Sequence, residues 1–173
     1  METPATIAIR EAADGDLGAI GALLNEEIAT SPYVYAETQV TIEDRRAWLS
    51  NHQAAGLPVL VATIDSGVVA WASLSPYRAS SGYRFTAEAS VYVSSGAQRR
   101  GIATQLVARL VEHARQVGLH ALVASIDAEN WPSIRLFERF EFVECARLPE
   151  VGRKFESWRT QLLFVRRLGA GSE

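Results

Sequence analysis

A β-like run that passes through a short polar loop directly into an amphipathic helix constrains this chain more than any other feature. Residues 86–93 end in Val91-Tyr92-Val93, the loop carries Gln98-Arg99-Arg100-Gly101-Ile102-Ala103, and a helical stripe follows at Leu106, Val107, Leu110, Val111, Ala114 and Val117, closed by Gly118. A strand, a loop and a helix N-terminus in this order leave backbone N–H groups free at the positive end of the helix dipole, which attracts an anion. Gly101 and Ala103 keep side chains small where backbone must approach a ligand, while Arg99 and Arg100 supply charge suited to phosphate groups. The Walker lysine motif and the GxGxxG dinucleotide fingerprint are both missing. An Arg-Arg-Gly sequence before a helix, taken alone, is more often a solvated turn; its place straight after Val-Tyr-Val favours the phosphate reading.

The rest of the chain frames that junction. Residues 7–10 read as a strand, and Asp14 is expected to cap a helix marked by Leu17, Ile20, Leu24 and Ile28. Thr41 with Asp44 three residues on resembles a capping box for a second helix, which Gly56 ends. Residues 59–64 and 68–74 flank Asp65-Ser66-Gly67, where the glycine is expected to supply the positive φ of a hairpin. After the junction helix over 104–117, residues 119–126 read as a buried strand, 132–140 as a short helix with Pro132 in its first turn, and 142–148 and 160–166 as final strands. The order is βαα, a meander, then βαβαββ: an α+β fold of α/β-type three-layer character, with helices about a mixed, mostly antiparallel sheet.

With 173 residues, 48% of them hydrophobic, residues 1–173 suffice for one compact domain and one site, with a flexible tail expected over 169–173. A net charge of -3 lacks the broad positive field of a nucleic-acid binder, so any anion site is local. One cysteine, Cys145, allows no internal disulfide, and His52, His113 and His120 have no partners at metal-ligand spacing, so no metal is expected and the histidines read as surface residues. No apolar run spans a bilayer and no basic-then-apolar leader opens the chain, which reads as cytoplasmic, with no membrane partner.

Gln98-Arg99-Arg100-Gly101-Ile102-Ala103 after Val-Tyr-Val resembles the acetyl-CoA pyrophosphate loop of the GNAT superfamily of acetyltransferases. Pro76-Tyr77-Arg78-Ala79, Tyr83-Arg84-Phe85-Thr86 with Glu88, Asn130, and Ser133-Ile134-Arg135-Leu136 are similar to the phosphinothricin and methionine sulfoximine N-acetyltransferase branch. Residues 43–48 and 151–155, with Trp158, extend the likeness over nearly the whole chain.

The resemblance implies a GNAT fold in which two central parallel strands, here 86–93 and 119–126, splay apart to admit the pantetheine arm of acetyl-CoA. Val91, Tyr92 and Val93 would give it main-chain contacts, with an N–H near Val93 polarising the thioester carbonyl. Arg99, Arg100, Gly101, Ile102, Ala103 and Thr104 would hold the phosphates, and Asn130 and Ser133 the pantetheine, although Asn130 can equally cap the helix after it. The acceptor amine must lose a proton before it attacks, and Glu88 is the implied base. Arg78, Ala79, Ser80, Arg84, Glu88, Ala89 and Ser90 would line the acceptor site, the arginines facing a carboxylate or phosphinate.

Tyr33 and Tyr35 are candidates for a pocket wall, and Lys154 and Phe155 for a late loop or a partner subunit's contribution, since the branch implies a homodimer. Two positions depart from the branch: Phe137, where a histidine or other polar residue is expected to protonate the leaving thiolate, and Glu141, where a glycine is expected. The function so implied is N-acetylation of a small amino-acid-like amine by direct attack on acetyl-CoA. Alternatives are another amine, such as a protein N-terminus or a polyamine, and a non-catalytic acyl-CoA sensor.

Overall fold

A computed structural model describes residues 6–169; the N-terminal residues, and all of the expected tail but Gly169, lie outside the described residues. Seven strands form one sheet in the order β1-β2-β3-β4-β5-β7-β6. They are β1 (Ile7–Glu11), β2 (Val59–Ile64), β3 (Gly67–Pro76), β4 (Thr86–Val93), β5 (Ala121–Asp127), β6 (Val143–Lys154) and β7 (Ser157–Arg167). Every pairing is antiparallel except β4 with β5. Helices α1 (Leu17–Thr30), α2 (Ile42–Ala54), α3 (Ile102–Gln116) and α4 (Trp131–Glu138) complete the order expected from sequence.

The two faces of the sheet bury two cores. Ala70, Ala72, Leu74, Ala87, Ala89, Leu122, Ala124 and Ile126 meet α3 and α4 through Leu106, Leu110, Ile134 and Phe137. On the other face Trp71, Val59 and Val61 meet Leu17, Ile20 and Leu49 of α1 and α2. Because strand side chains alternate, Glu88, Ser90 and Tyr92 project toward α1 and α2, opposite the face that α3 covers. Tyr92 confirms this by stacking on Trp71, ring centroids 4.4 Å apart.

Local chemistry differs from expectation at several termini. The acid at the start of α1 is Asp16, not Asp14: its carboxylate accepts from the Ala13 N–H at 2.8 Å and is pinned by Arg10. At the β2–β3 hairpin the positive φ falls on Asp65 (48°) and Ser66 (68°), with Gly67 already opening the strand. Both central residues of such a two-residue turn must be left-handed, and Asp tolerates that conformation better than most. The capping box at Thr41 forms as expected, with Asp44 N–H donating to Thr41 Oγ1 at 3.1 Å and Thr41 N–H to Asp44 Oδ2 at 2.8 Å. Val117, expected as the last residue of the helical stripe, lies just past the end of α3 and is exposed.

Candidate active site

β4 and β5 pair only over Thr86↔Ala121, Ala87↔Leu122 and Glu88↔Val123. Beyond that point β4 stays on β3 as far as Ala70↔Val93, and β5 stays on β7 as far as Asp127↔Gln161, so the two central strands part. Which backbone groups are left open follows from the ladder. Phe85 O accepts from His120 and Ala121 on the β5 side, whereas Thr86 O accepts from Tyr77 and Ser94 N–H donates to Val69 O on the β3 side. By alternation, Ala89, Val91 and Val93 turn their N–H and C=O groups into the opening. Glu88 stands at its apex.

The loop after β4 delivers the chain to α3 through Arg99 at φ 61° and Gly101 at φ 76°. These left-handed residues aim the first-turn N–H groups of α3, around Ile102, Ala103 and Thr104, out of the end of the helix that points at the mouth of the fork. Arg99 and Arg100 are exposed there without an ion-pair partner among the described residues. Across the opening, Asn130 caps α4, its Oδ1 accepting from Ser133 N–H at 3.3 Å, which leaves its amide hydrogens and the Ser133 hydroxyl uncommitted to that cap. An open strand edge, an anion-attracting helix end and two arginines fit the pantetheine amides and phosphates of acetyl-CoA.

Arg78, Ala79, Ser80 and Arg84 are exposed on the β3–β4 loop. Stacking holds the two guanidinium groups: Arg78 lies 5.1 Å from the Tyr77 ring and 5.6 Å from Tyr83, and Arg84 lies 4.3 Å from Phe85. Neither pairs with a carboxylate among the described residues, so both stay open to an anion.

Two expectations fail here, at Lys154 and His52, and a third residue, Tyr35, is more constrained than expected. Lys154 is not part of a loop: β6 runs through it, Phe155 and Glu156 make the turn at φ 46° and 62°, and the Lys154 ammonium is buried against the carbonyls of Ile28, at 2.7 Å, and Ala36. It ties down the loop after α1, whose C-terminal carbonyls favour a cation. His52 is not a surface residue but 4% exposed beneath the sheet. Tyr35 does reach the site side of the sheet, yet its hydroxyl is engaged, donating to Asp127 Oδ2 at 2.8 Å, and its ring lies where any Cβ on Gly152 would stand 2.5 Å away.

Asp127 and Arg159, which sequence reasoning passed over, make the strongest ion pair of the region, with Nε and Nη2 at 2.9 and 2.7 Å from the two carboxylate oxygens. Burial alone would raise the Asp127 carboxyl, but bonds from Arg159, the Glu129 N–H and Tyr35 outweigh it and hold the group below the usual carboxylate range. Burial and the bond to Asp127 push the Tyr35 phenol well above its ordinary value.

The two departures are also explained. Phe137 is 2% exposed and packs edge-on against Phe142 at 5.0 Å, so this position faces the core and carries no proton donor. Glu141 adopts the left-handed φ of 61° that a glycine would take, and its carboxylate meets the buried Arg166 at 2.7 Å. The turn is kept and an ion pair replaces conformational freedom.

Residues 22–142 match the acetyltransferase (GNAT) family. The chain belongs to that family, as the loop motif implied, and is an acetyltransferase with the GNAT fold. It is 38% identical over 151 residues to an L-methionine sulfoximine/L-methionine sulfone acetyltransferase of Pseudomonas aeruginosa, covering 87% of this chain and 88% of that one. It is 34% identical to a phosphinothricin N-acetyltransferase of Streptomyces coelicolor, covering 90% and 92%. A crystal structure of a GNAT superfamily phosphinothricin acetyltransferase from Sinorhizobium meliloti in complex with acetyl-CoA superimposes with a TM-score of 0.92 at 27% identity, covering 96% of this chain and 91% of that one.

Proposed function

We infer that this chain is a single-domain N-acetyltransferase that acetylates the amine of a small amino-acid-like acceptor of the methionine sulfoximine, methionine sulfone or phosphinothricin type. The observation that carries the reading is the parting of β4 and β5 immediately after Glu88, which sets a carboxylate at the apex of an opening edged by free backbone groups. Acetyl-CoA supplies the acetyl thioester; the chain supplies position and proton transfer.

Thr104 and the N-terminus of α3 with Arg99, Arg100, Gly101, Ile102 and Ala103 take the phosphates, and Val91, Tyr92 and Val93 with Asn130 and Ser133 line the path of the pantetheine. The Val93 N–H donates to the thioester oxygen as it gains charge. From the opposite face of the sheet the acceptor enters over Ser90 and the main chain of Ala89, whose side chain is turned into the core under α3, its carboxylate or phosphinate held by Arg78 and Arg84 beside Ala79 and Ser80. Glu88 takes a proton from the acceptor's ammonium group, directly or through one water, and frees the lone pair that attacks the thioester. With Phe137 buried, the departing thiolate takes its proton from solvent, which a thiol pKa near 8.5 permits.

The enzyme acts as a cytoplasmic homodimer. Val143, Val151, Phe155 and Trp158, all exposed on the β6–β7 hairpin, support a second copy as the partner. Neither nucleic acid nor a membrane is proposed as a partner; the net charge of -3 lacks the broad positive field of a nucleic-acid binder.

The test is free-thiol release from acetyl-CoA with and without methionine sulfoximine or phosphinothricin. Acceptor-dependent release is expected, and Arg78→Ala should raise the acceptor's KM more than that of acetyl-CoA. Release that ignores these acceptors but follows a polyamine or a protein N-terminus would overturn the acceptor class and keep the chemistry.

A further inference from the structure

Behind Glu88 lies a hydrogen-bonded pair that the mechanism above does not use. His52, on α2, places Nδ1 2.7 Å from the carbonyl oxygen of Trp48 and Nε2 2.9 Å from the Ser75 hydroxyl. A carbonyl oxygen only accepts, so Nδ1 carries the hydrogen. Burial holds the imidazole below its ordinary pKa, against the bond to Trp48, so near pH 7 the ring is neutral and Nε2 keeps its lone pair. The Ser75 hydrogen must then point at His52, and the other side of the oxygen can only accept.

That other side concerns the base. Ser75 is the direct cross-strand partner of Glu88, and directly opposed residues project from the same face with Cβ atoms roughly 4.5–5.5 Å apart. The charged and titratable groups on this face include Glu27 from α1, Arg45 and His52 from α2, and Tyr92 from β4, with Glu27, Glu88 and Arg45 all acting on the Tyr92 hydroxyl; further along β5, Asp127 is taken up by Arg159 and Tyr35. From β5 the neighbour is the apolar Val123. Among the described residues Glu88 forms no ion pair.

We propose that Ser75, oriented by His52, is a positioning residue for the base: it presents an oxygen lone pair to Glu88 and accepts a hydrogen bond once Glu88 has taken the acceptor's proton. The step balances simply: an N–H bond of the ammonium breaks, an O–H bond forms on Glu88, and that O–H donates to Ser75 Oγ while Ser75 O–H still donates to His52 Nε2. A hydroxyl free to turn would instead donate to the Glu88 carboxylate and weaken it as a base. His52 keeps it turned away. This inference rests on the reading of Glu88 as the base.

The experiment is the pH profile of kcat/KM for Ser75→Ala and Ser75→Thr, with Glu88→Gln alongside. The acceptor's own ionisation is common to all and cancels. Ser75→Ala should move the acidic limb to lower pH by about half a unit to one unit, as loss of one hydrogen bond to the protonated carboxyl implies. Plateau turnover should fall several-fold with acetyl-CoA affinity unchanged, and Ser75→Thr should restore both. An unmoved limb, whether the rate is unchanged or falls equally at every pH, overturns the role of Ser75. If Glu88→Gln has meanwhile lost turnover, the base reading stands and only this inference fails; if Glu88→Gln keeps its turnover, both fail.

Discussion

Two regions at the centre of this sheet treat their polar groups in opposite ways. Between β4 and β5 the chain leaves backbone donors and acceptors of Ala89, Val91 and Val93 open, and ends in a helix N-terminus flanked by exposed arginines. Between β5, β7 and the loop after α1, every strong group is spent on the protein itself: Asp127 on Arg159 and Tyr35, Lys154 on two carbonyls. Unsatisfied polar groups cost stability when water is excluded, so a fold leaves them open only where a ligand completes them. The satisfied region holds the loop after α1 against β5 and β6.

The sharpest way to break this contrast is Asp127→Ala. It leaves Arg159, whose side chain is 10% exposed, with only the exposed Glu129 at 3.0 Å as a carboxylate partner and takes the acceptor from the Tyr35 hydroxyl, and should cost about 2–3 kcal/mol in denaturant unfolding, the worth of hydrogen bonds to a charged group. A loss below about 1 kcal/mol would mean the clamp is ornamental. The sign of the pH dependence follows from the depressed Asp127 pKa: its contribution is present above the unfolded value of about 3.9 and fades as pH falls through the lower folded value, so wild type and variant should converge in acid. In the open region, Arg100→Ala removes a charge that nothing in the fold needs. Thermal stability should not change, while KM for acetyl-CoA rises on the order of ten-fold, the worth of one charge-assisted bond to phosphate. An unchanged KM with lowered stability would reverse the assignments of the two regions.

The same contrast decides what could be read from sequence. The open region is contiguous: residues 88–104 carry the apex carboxylate, the strand edge, the arginines and the helix start, and local rules of strand, turn and helix suffice to order them. The clamp is assembled from positions far apart in the chain, Tyr35, Asp127, Gly152, Lys154 and Arg159, and no spacing betrays it. Gly152 in a strand was the one available hint, since an interior glycine marks a close approach. His52 escaped because α2 has little amphipathic pattern, so nothing marked the histidine as inward-facing. The hairpin at Asp65-Ser66 is legible in the sequence, but the positive φ falls on those two residues and not on Gly67, because the glycine begins the next strand.

Glu88→Gln tests the central claim most directly, with turnover and acetyl-CoA affinity measured on the same preparation. A base at the apex of the fork predicts turnover down on the order of 100-fold or more with affinity unchanged. Undiminished turnover would contradict it.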